Sequence, residues 1–453
     1  MSDISEKLEN VALDRVPADQ RTGWLDVSLI QAGCYICVPS LMLGAMLVQA
    51  MSFTDALIAG ALGYAISVAI TCLIGFAGSD LNVPTCVVAQ STFGKAGARV
   101  ILSLLFALSL VGWFGVQAQV CGESFSQFMS SGFGIDMPEW ISTLVWGIVM
   151  LATAVYGFKG MKVLNVIAIP ALLVCMVVGV VLAVSTYGTS GLAAAGGDGS
   201  MSIMQGAALT ASFLSVGMVI APDYTRYQRT RAGVVASSTA GIFVPGMVLL
   251  VLGAVMSELA GEYDIALLLV NLGIPIAGML VLILATWTSN VTNIYSAGLD
   301  IVMLFGLEDK RRAAATVVAG MVGIALTVVG VLGNFSQFLD WIGTAFMPIG
   351  GCMVADYWIL RRGDRKRWGF RGKANVWAFV AWIAGVLVTQ FLPIDGALFF
   401  GFATSVVAQA GLTYAFDRSF ETGEDKIDLS DDVRVKAVDA GQAHKGKTAA
   451  TTA

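Results

Sequence analysis

The sequence is poor in charge. Asp, Glu, Lys and Arg make up 13% of its 453 residues, against 57% hydrophobic. Soluble domains carry about a quarter charged residues, so this composition excludes a string of soluble domains despite the length. Histidine is nearly missing as well. The single one, His444, lies in a polar tail, which excludes a histidine proton relay or a His-ligated metal within the apolar segments. The seven cysteines (Cys34, Cys37, Cys72, Cys86, Cys121, Cys175 and Cys352) are odd in number and fall mostly in apolar runs. That pattern excludes a disulfide framework. Cys34 and Cys37 stand in a C-Y-I-C segment with no partner cluster for zinc, so packing is their expected role. A cleavable signal is missing too. The opening MSDISEKLENVALDRVPADQ is polar and acidic with no apolar centre, and the first helix is expected to serve as its own insertion signal.

What is present is a succession of long apolar runs. A membrane span needs about 20 mostly apolar residues. The sequence predicts an all-α polytopic membrane protein with about twelve transmembrane helices, at 25–50, 54–77, 97–121, 139–158, 163–187, 205–225, 234–258, 275–300, 313–332, 336–359, 375–393 and 397–416. With the amino terminus placed inside and sides alternating, all 26 Lys and Arg fall on the inner face. They include Arg15, Arg21, Lys95, Arg99, Lys159, Lys162, Arg226, Arg229, Arg231, Lys310 and the block from Arg361 to Lys373. The outer loops carry Glu123, Asp136, Asp198, Glu258, Glu262 and Asp264 instead. The positive-inside rule therefore predicts an even number of spans with both termini cytoplasmic, in the plasma (inner) membrane. Residues 1–24 form a cytoplasmic segment, and the polar tail 417–453 reads as disordered.

The first five helices (25–187) and the next five (205–360) form blocks of similar length that start on opposite sides. Such an arrangement predicts a five-plus-five inverted repeat, with two C-terminal helices at 375–416 added to it. In transporters of this type the first helix of each repeat is interrupted near the midplane. The first helix carries Gly33 and V-P-S at Val38–Ser40, where proline lacks an amide donor. The sixth carries A-S-F-L-S-V-G from Ala211 to Gly217. Either stretch alone also fits close helix packing by small residues. Their corresponding positions favour a break in both, beside a cavity that holds substrate.

Two intramembrane clusters supply candidate ligands. On the third helix, Trp113 and Gln117 are four apart and share a face. On the eighth, Thr288, Ser289, Asn290, Thr292 and Asn293 crowd polar groups into one span, which is costly unless they are paired or solvated. Hydroxyls can bond back to their own helix, whereas two asparagines are harder to explain that way. Trp113 and Phe213 offer flat apolar faces. Gln117, Ser212, Ser215, Asn290 and Asn293 offer mixed donors and acceptors that match the edge of a planar heterocycle. No Lys or Arg lies in the membrane core, which disfavours an anionic substrate. A small, neutral, planar, polar molecule fits best. A monovalent cation would take hard oxygens from Thr288, Ser289 and the carbonyls of an unwound first helix. Asp26, Asp223, Asp300, Asp340 and Asp356 are possible proton carriers, but most lie near helix ends beside arginines, where ion pairing explains them better. A membrane-embedded enzyme would need a nucleophile with its base, or a clustered metal site, and a channel would need a repeated filter motif. Neither is present in the sequence.

Several motifs, taken in order, resemble the nucleobase–cation symporters, and most closely their bacterial cytosine permease branch. They are V-G-W-F-G-V at 111–116, S-F-L-S-V-G at 212–217, P-D-Y-T-R-Y at 222–227, W-T-S-N and Y-S-A-G-L within 287–299, and P-I-G-G-C-M-V-A-D-Y-W-I-L-R-R-G at 348–363. The resemblance covers about residues 20–416. It implies alternating access, base stacking on Trp113 and at Phe213, and polar contacts from Ser212, Ser215 and the eighth-helix asparagines. It also implies a sodium site made by Thr288 and Ser289 hydroxyls with carbonyls of Gly33, Cys37 and Ala285. No cofactor is expected beyond a coupling sodium ion or proton. The expected partners are a nucleobase and the lipid bilayer, with no nucleic acid. Leu110 stands where cytosine permeases tend to carry glutamine, and Gln117 resembles the glutamine that follows the tryptophan in hydantoin carriers. Cytosine leads as substrate, with another pyrimidine, a purine, or a hydantoin- or allantoin-like ring behind it.

Overall fold

A computed structural model describes residues 15–417, apart from 157–160, 190–191, 193–196, 262–268, 270, 309–310, 329, 331–334 and 373. Lys159, Lys310, Lys373, Glu262, Asp264 and the tail from residue 418 lie outside the described residues.

The apolar runs become helices close to the predicted limits. They are α1, in two parts at Trp24–Tyr35 and Val38–Ala50, α2 (Phe53–Leu81), α3 (Lys95–Phe133), α4 (Glu139–Tyr156), α5 (Met161–Tyr187) and α6 (Ile203–Val219). Then come α7 (Arg231–Ala260), α8 (Pro275–Phe305), α9 (Arg312–Val328), α10 (Phe335–Leu360), α11 (Val376–Phe391) and α12 (Ala397–Phe416). Seven are long and apolar enough to cross a membrane, the bent α1 makes an eighth, and four shorter apolar helices fill the remaining predicted positions. Helix is the only structure that keeps every backbone group bonded within one spanning segment. The packing follows the repeat. The second part of α1 lies on α7 as α6 lies on α2, and α3 packs on α8 and α4 on α9. Exchanging the two halves turns the first of these pairs into the second and returns the α3–α8 and α4–α9 pairs onto themselves.

The break in α1 forms as expected. The two parts meet at a 62° bend. Ile36 (φ −80°, ψ 79°) and Cys37 (φ −146°, ψ 162°) leave helical geometry. Pro39 then sits in the first turn of the second part, where a missing amide costs nothing. Across the break Ser40 Oγ donates to the Tyr35 carbonyl at 2.7 Å, which replaces one of the bonds the bend removes.

The break expected in α6 at Ala211–Gly217 does not form there, and the reading is corrected. The helix runs unbroken from Ile203 to Val219 behind a capping box of Ser202 and Gln205, and the chain turns only at Ile220, ahead of Pro222. The small residues serve close packing. A Cβ on Gly343 of α10 would meet Ser212 Oγ at 2.1 Å, and one on Gly217 would meet the Tyr35 hydroxyl at 1.9 Å. Ser215 Oγ bonds back to the Ser212 carbonyl at 2.7 Å, so its polarity is absorbed without unwinding.

The basic residues gather at one end of the bundle. Arg15 Nε donates to the Leu81 carbonyl at 3.1 Å, and Arg231 Nε pairs with Asp80 Oδ2 at 3.0 Å. Arg361 and Arg371 flank Asp356 at 3.1 and 3.4 Å, all three nearly fully buried. Ser91 also donates to Asp356, and Arg361 NH2 caps the Gly369 carbonyl at 3.0 Å. A strap of residues 15–22 closes this end. Val16 is fully buried, with its amide on the Asn82 carbonyl at 2.8 Å, and the Thr22 amide reaches the Tyr227 carbonyl at 2.8 Å.

Candidate substrate and ion site

Trp113 lies in the middle of α3, where neighbouring Gly112 and Gly115 let α10 and α9 approach. A Cβ on Gly112 would meet the Phe338 ring at 2.3 Å, and one on Gly115 the Gly323 carbonyl at 3.2 Å. The indole is half-buried. Three phenylalanines surround it edge to face: Phe213 of α6 at 5.7 Å, Phe338 of α10 at 5.3 Å and Phe335 at 6.0 Å. The ring planes are inclined by 80°, 84° and 72°, so none of the three lies parallel against the indole. Such a cage holds the tryptophan in one orientation. The structure thus brings the two predicted aromatics, Trp113 and Phe213, together. Phe335 and Phe338 were not legible as site residues, because F-S-Q-F at the start of α10 reads as an ordinary apolar face.

One turn along α3, Gln117 is buried and accepts from Ser289 Oγ at 2.6 Å. Ser289 also reaches the Ala285 carbonyl at 2.7 Å, and Thr288 Oγ1 reaches the same carbonyl at 3.1 Å. The three α8 members of the expected ion site therefore converge, and Gln117, read as a base contact, is bonded directly to one of them. Their oxygens are hard donors of the kind a monovalent cation takes, so the residues fit that ion. Gly33 and Cys37 belong to the break in α1, whose second part packs against α8. Gly33 is exposed, and the Cys37 carbonyl accepts the Ser40 amide at 3.2 Å.

The asparagines face elsewhere. Asn290 is fully buried and donates to the Phe114 carbonyl at 2.9 Å, with Met150 Sδ at 3.1 Å. Its amide ties α8 to α3 and α4. Asn293 Nδ2 reaches Asn290 Oδ1 at 3.5 Å. Ser212 and Ser215 are buried at the α6–α10 contact, next to Phe213 on the chain.

A broken first helix, repeat-related packing and an aromatic cage beside converging oxygens define a secondary transporter rather than an enzyme. The chain belongs to the family described as permease for cytosine/purines, uracil, thiamine, allantoin, whose model matches residues 15–415. It is similar to the cytosine permease of Escherichia coli (strain K12), at 27% identity over 394 residues, spanning 85% of this chain and 90% of that one. Among solved structures it resembles the inward facing conformation of Mhp1, with a TM-score of 0.79 and 19% identity over 90% of this chain and 94% of the other. Mhp1 in a closed conformation with bromovinylhydantoin bound, described as a nucleobase-cation-symport-1 family transporter, aligns with a TM-score of 0.73 and 19% identity, covering 91% and 98%.

Proposed function

We propose that the protein imports a neutral planar nucleobase, cytosine first, by sodium symport through alternating access. The observation that carries this reading is the Trp113 cage joined through Gln117 and Ser289 to the oxygens on α8. A ring laid on Trp113 would gain stacking of about 1–3 kcal/mol, and a cation at Ala285, Thr288 and Ser289 would order the same helix. Gln117 then links the two ligands through one hydroxyl, which is a physical basis for coupling. The carbonyls of Gly33 and Cys37 complete the ion site when the break in α1 closes on α8. Asn293 contributes a polar contact to the ring, while Ser212 and Ser215, buried at the α6–α10 contact, act by seating α6 and Phe213 rather than by touching the ring. Asn290 holds α8 in register, and its role toward the base is indirect.

One sodium ion entering across 100 mV releases about 2.3 kcal/mol. With 1.4 kcal/mol per tenfold, a single ion sustains a gradient of a neutral base above tenfold. The positive-inside rule favours the strap and the arginine-rich end on the cytoplasmic side of the plasma membrane, with both termini there. The repeats are 25–187 and 205–360, and each moves largely as a body against the other.

Gln117 favours a second reading, a hydantoin-like ring, since it matches the hydantoin carriers and replaces the glutamine that cytosine permeases carry at the position of Leu110. Both readings are tested by uptake of labelled cytosine and hydantoin into proteoliposomes at fixed pH. Sodium-dependent accumulation of one ring is expected. Uptake unchanged when choline replaces sodium would remove sodium coupling and bring proton coupling forward.

A further inference from the structure

The aromatic between Cys34 and Cys37 has no role in the site as described so far. Tyr35 is the last helical residue of the first part of α1. Its hydroxyl rests on the backbone of α6 at Gly217, where a Cβ would come within 1.9 Å of it. Gly217 lies one turn beyond Phe213, the aromatic that meets Trp113 at 5.7 Å, and residues four apart share a helix face. Among the described residues the Tyr35 hydroxyl has no hydrogen-bond partner, and it is not sealed from open space, since Tyr35 is only half-buried and Gly33 and Cys34 on the same turn are exposed. A hydroxyl left open beside the α1 break can donate to, or accept from, a polar group that enters there.

We propose that Tyr35 is a substrate-positioning residue, whose hydroxyl meets the polar edge of the bound ring from the α1 side while Gly217 provides the gap in which it sits. This rests on the ring pocket at Trp113 and adds a contact from α1 to it. It ties recognition of the ring to the geometry of the α1 break, because Tyr35 is the residue at which that helix stops and its carbonyl is the one Ser40 holds.

The contact makes a paired test possible. The hydroxyl oxygen makes the severe clash at Gly217; the next ring atom, Cζ, would stand 3.2 Å from a Cβ there, a tight contact that a small shift relieves. Full-length Tyr35→Phe, Gly217→Ala and the double variant are reconstituted, and cytosine and hydantoin affinity and sodium activation are measured. Tyr35→Phe is expected to weaken binding of the transported ring roughly three- to tenfold, the loss of one neutral hydrogen bond, with half-maximal sodium unchanged. Gly217→Ala is expected to reduce affinity further, and in the Tyr35→Phe background the same alanine is expected to do less damage, because the severest clash has gone. Wild-type affinity in Tyr35→Phe would overturn the proposal, as would an alanine at 217 that does equal damage in both backgrounds. Trp113→Ala, measured alongside, separates the two levels: full ring binding in that variant refutes the pocket itself, whereas its loss together with an unaffected Tyr35→Phe refutes only the role of Tyr35.

Discussion

Trp113 and Ser289 show what single side chains decide in this site. Three phenylalanines meet the indole only at an angle, so a planar ligand can supply the parallel contact that the protein does not. Trp113→Ala is expected to weaken base binding by about 5- to 150-fold, the range that stacking of 1–3 kcal/mol implies. Ligand-induced thermal stabilisation of purified protein measures it. Ser289 has one hydroxyl proton and three acceptors within reach, of which Gln117 Oε1 and the Ala285 carbonyl are the nearest. Ser289→Ala is therefore expected to raise both the sodium concentration for half-maximal uptake and the Kd for the base. Uptake titrated against sodium and against base checks this, and a change in only one of the two would break the proposed link. Asn290 illustrates the limit of reading residues one by one. Its polarity inside a span was legible, but its partners, Phe114 O and Met150 Sδ, lie on two other helices.

At the scale of elements, α1 and α6 hold corresponding places in the two repeats yet differ. In α1 a proline stands two residues after extended Cys37, and helical geometry is lost at Ile36 and Cys37. In α6 nothing removes an amide between Ala211 and Gly217, so serine and glycine there serve contact and the turn waits for Ile220 and Pro222. The sequence offered a mechanism for breaking the first helix and only a permissive composition for the sixth. Ser40→Ala removes the side-chain bond that spans the α1 break. It is expected to cost about 1 kcal/mol, seen as a lower melting temperature in detergent, and to increase modification of exposed Cys34 by thiol reagents.

Across the whole molecule, the arginine-rich end is held by groups of very different burial. Asp356 with Arg361 and Arg371 is almost entirely enclosed, whereas Arg231 beside Asp80 has a side chain 42% exposed. Breaking a buried ion cluster leaves uncompensated charge and costs about 3–5 kcal/mol, while an exposed pair contributes at most about 1 kcal/mol. Asp356→Asn is therefore expected to lower the melting temperature sharply and reduce monodisperse yield, while Arg231→Gln changes either little. Similar losses in both variants would mean that the cluster does not anchor α10 and the segment after it. The asymmetry of charge that predicted sidedness in the sequence thus also has a structural part, because several of those arginines are internal ties rather than solvated charge.

The sequence by itself determined the membrane class, the helix positions to within a few residues at most ends, the break in α1 and the two aromatics that meet. These follow from local properties: apolar length, a proline's missing amide, and hydropathy that each segment carries alone. Only the tertiary structure decided that α6 stays helical through its serines and that Phe335 and Phe338 complete the Trp113 cage. It also decided that Asn290 is bonded to α3 and α4 and that Ser289 joins Gln117 to the oxygens on α8. Those outcomes depend on which helices face one another and at what depth, and a side chain's partners across a bundle leave no periodicity in its own segment. Tyr35 stands between the two cases: its place at the break was visible in C-Y-I-C, but the glycine that receives its hydroxyl lies 182 residues further along the chain, from Tyr35 to Gly217.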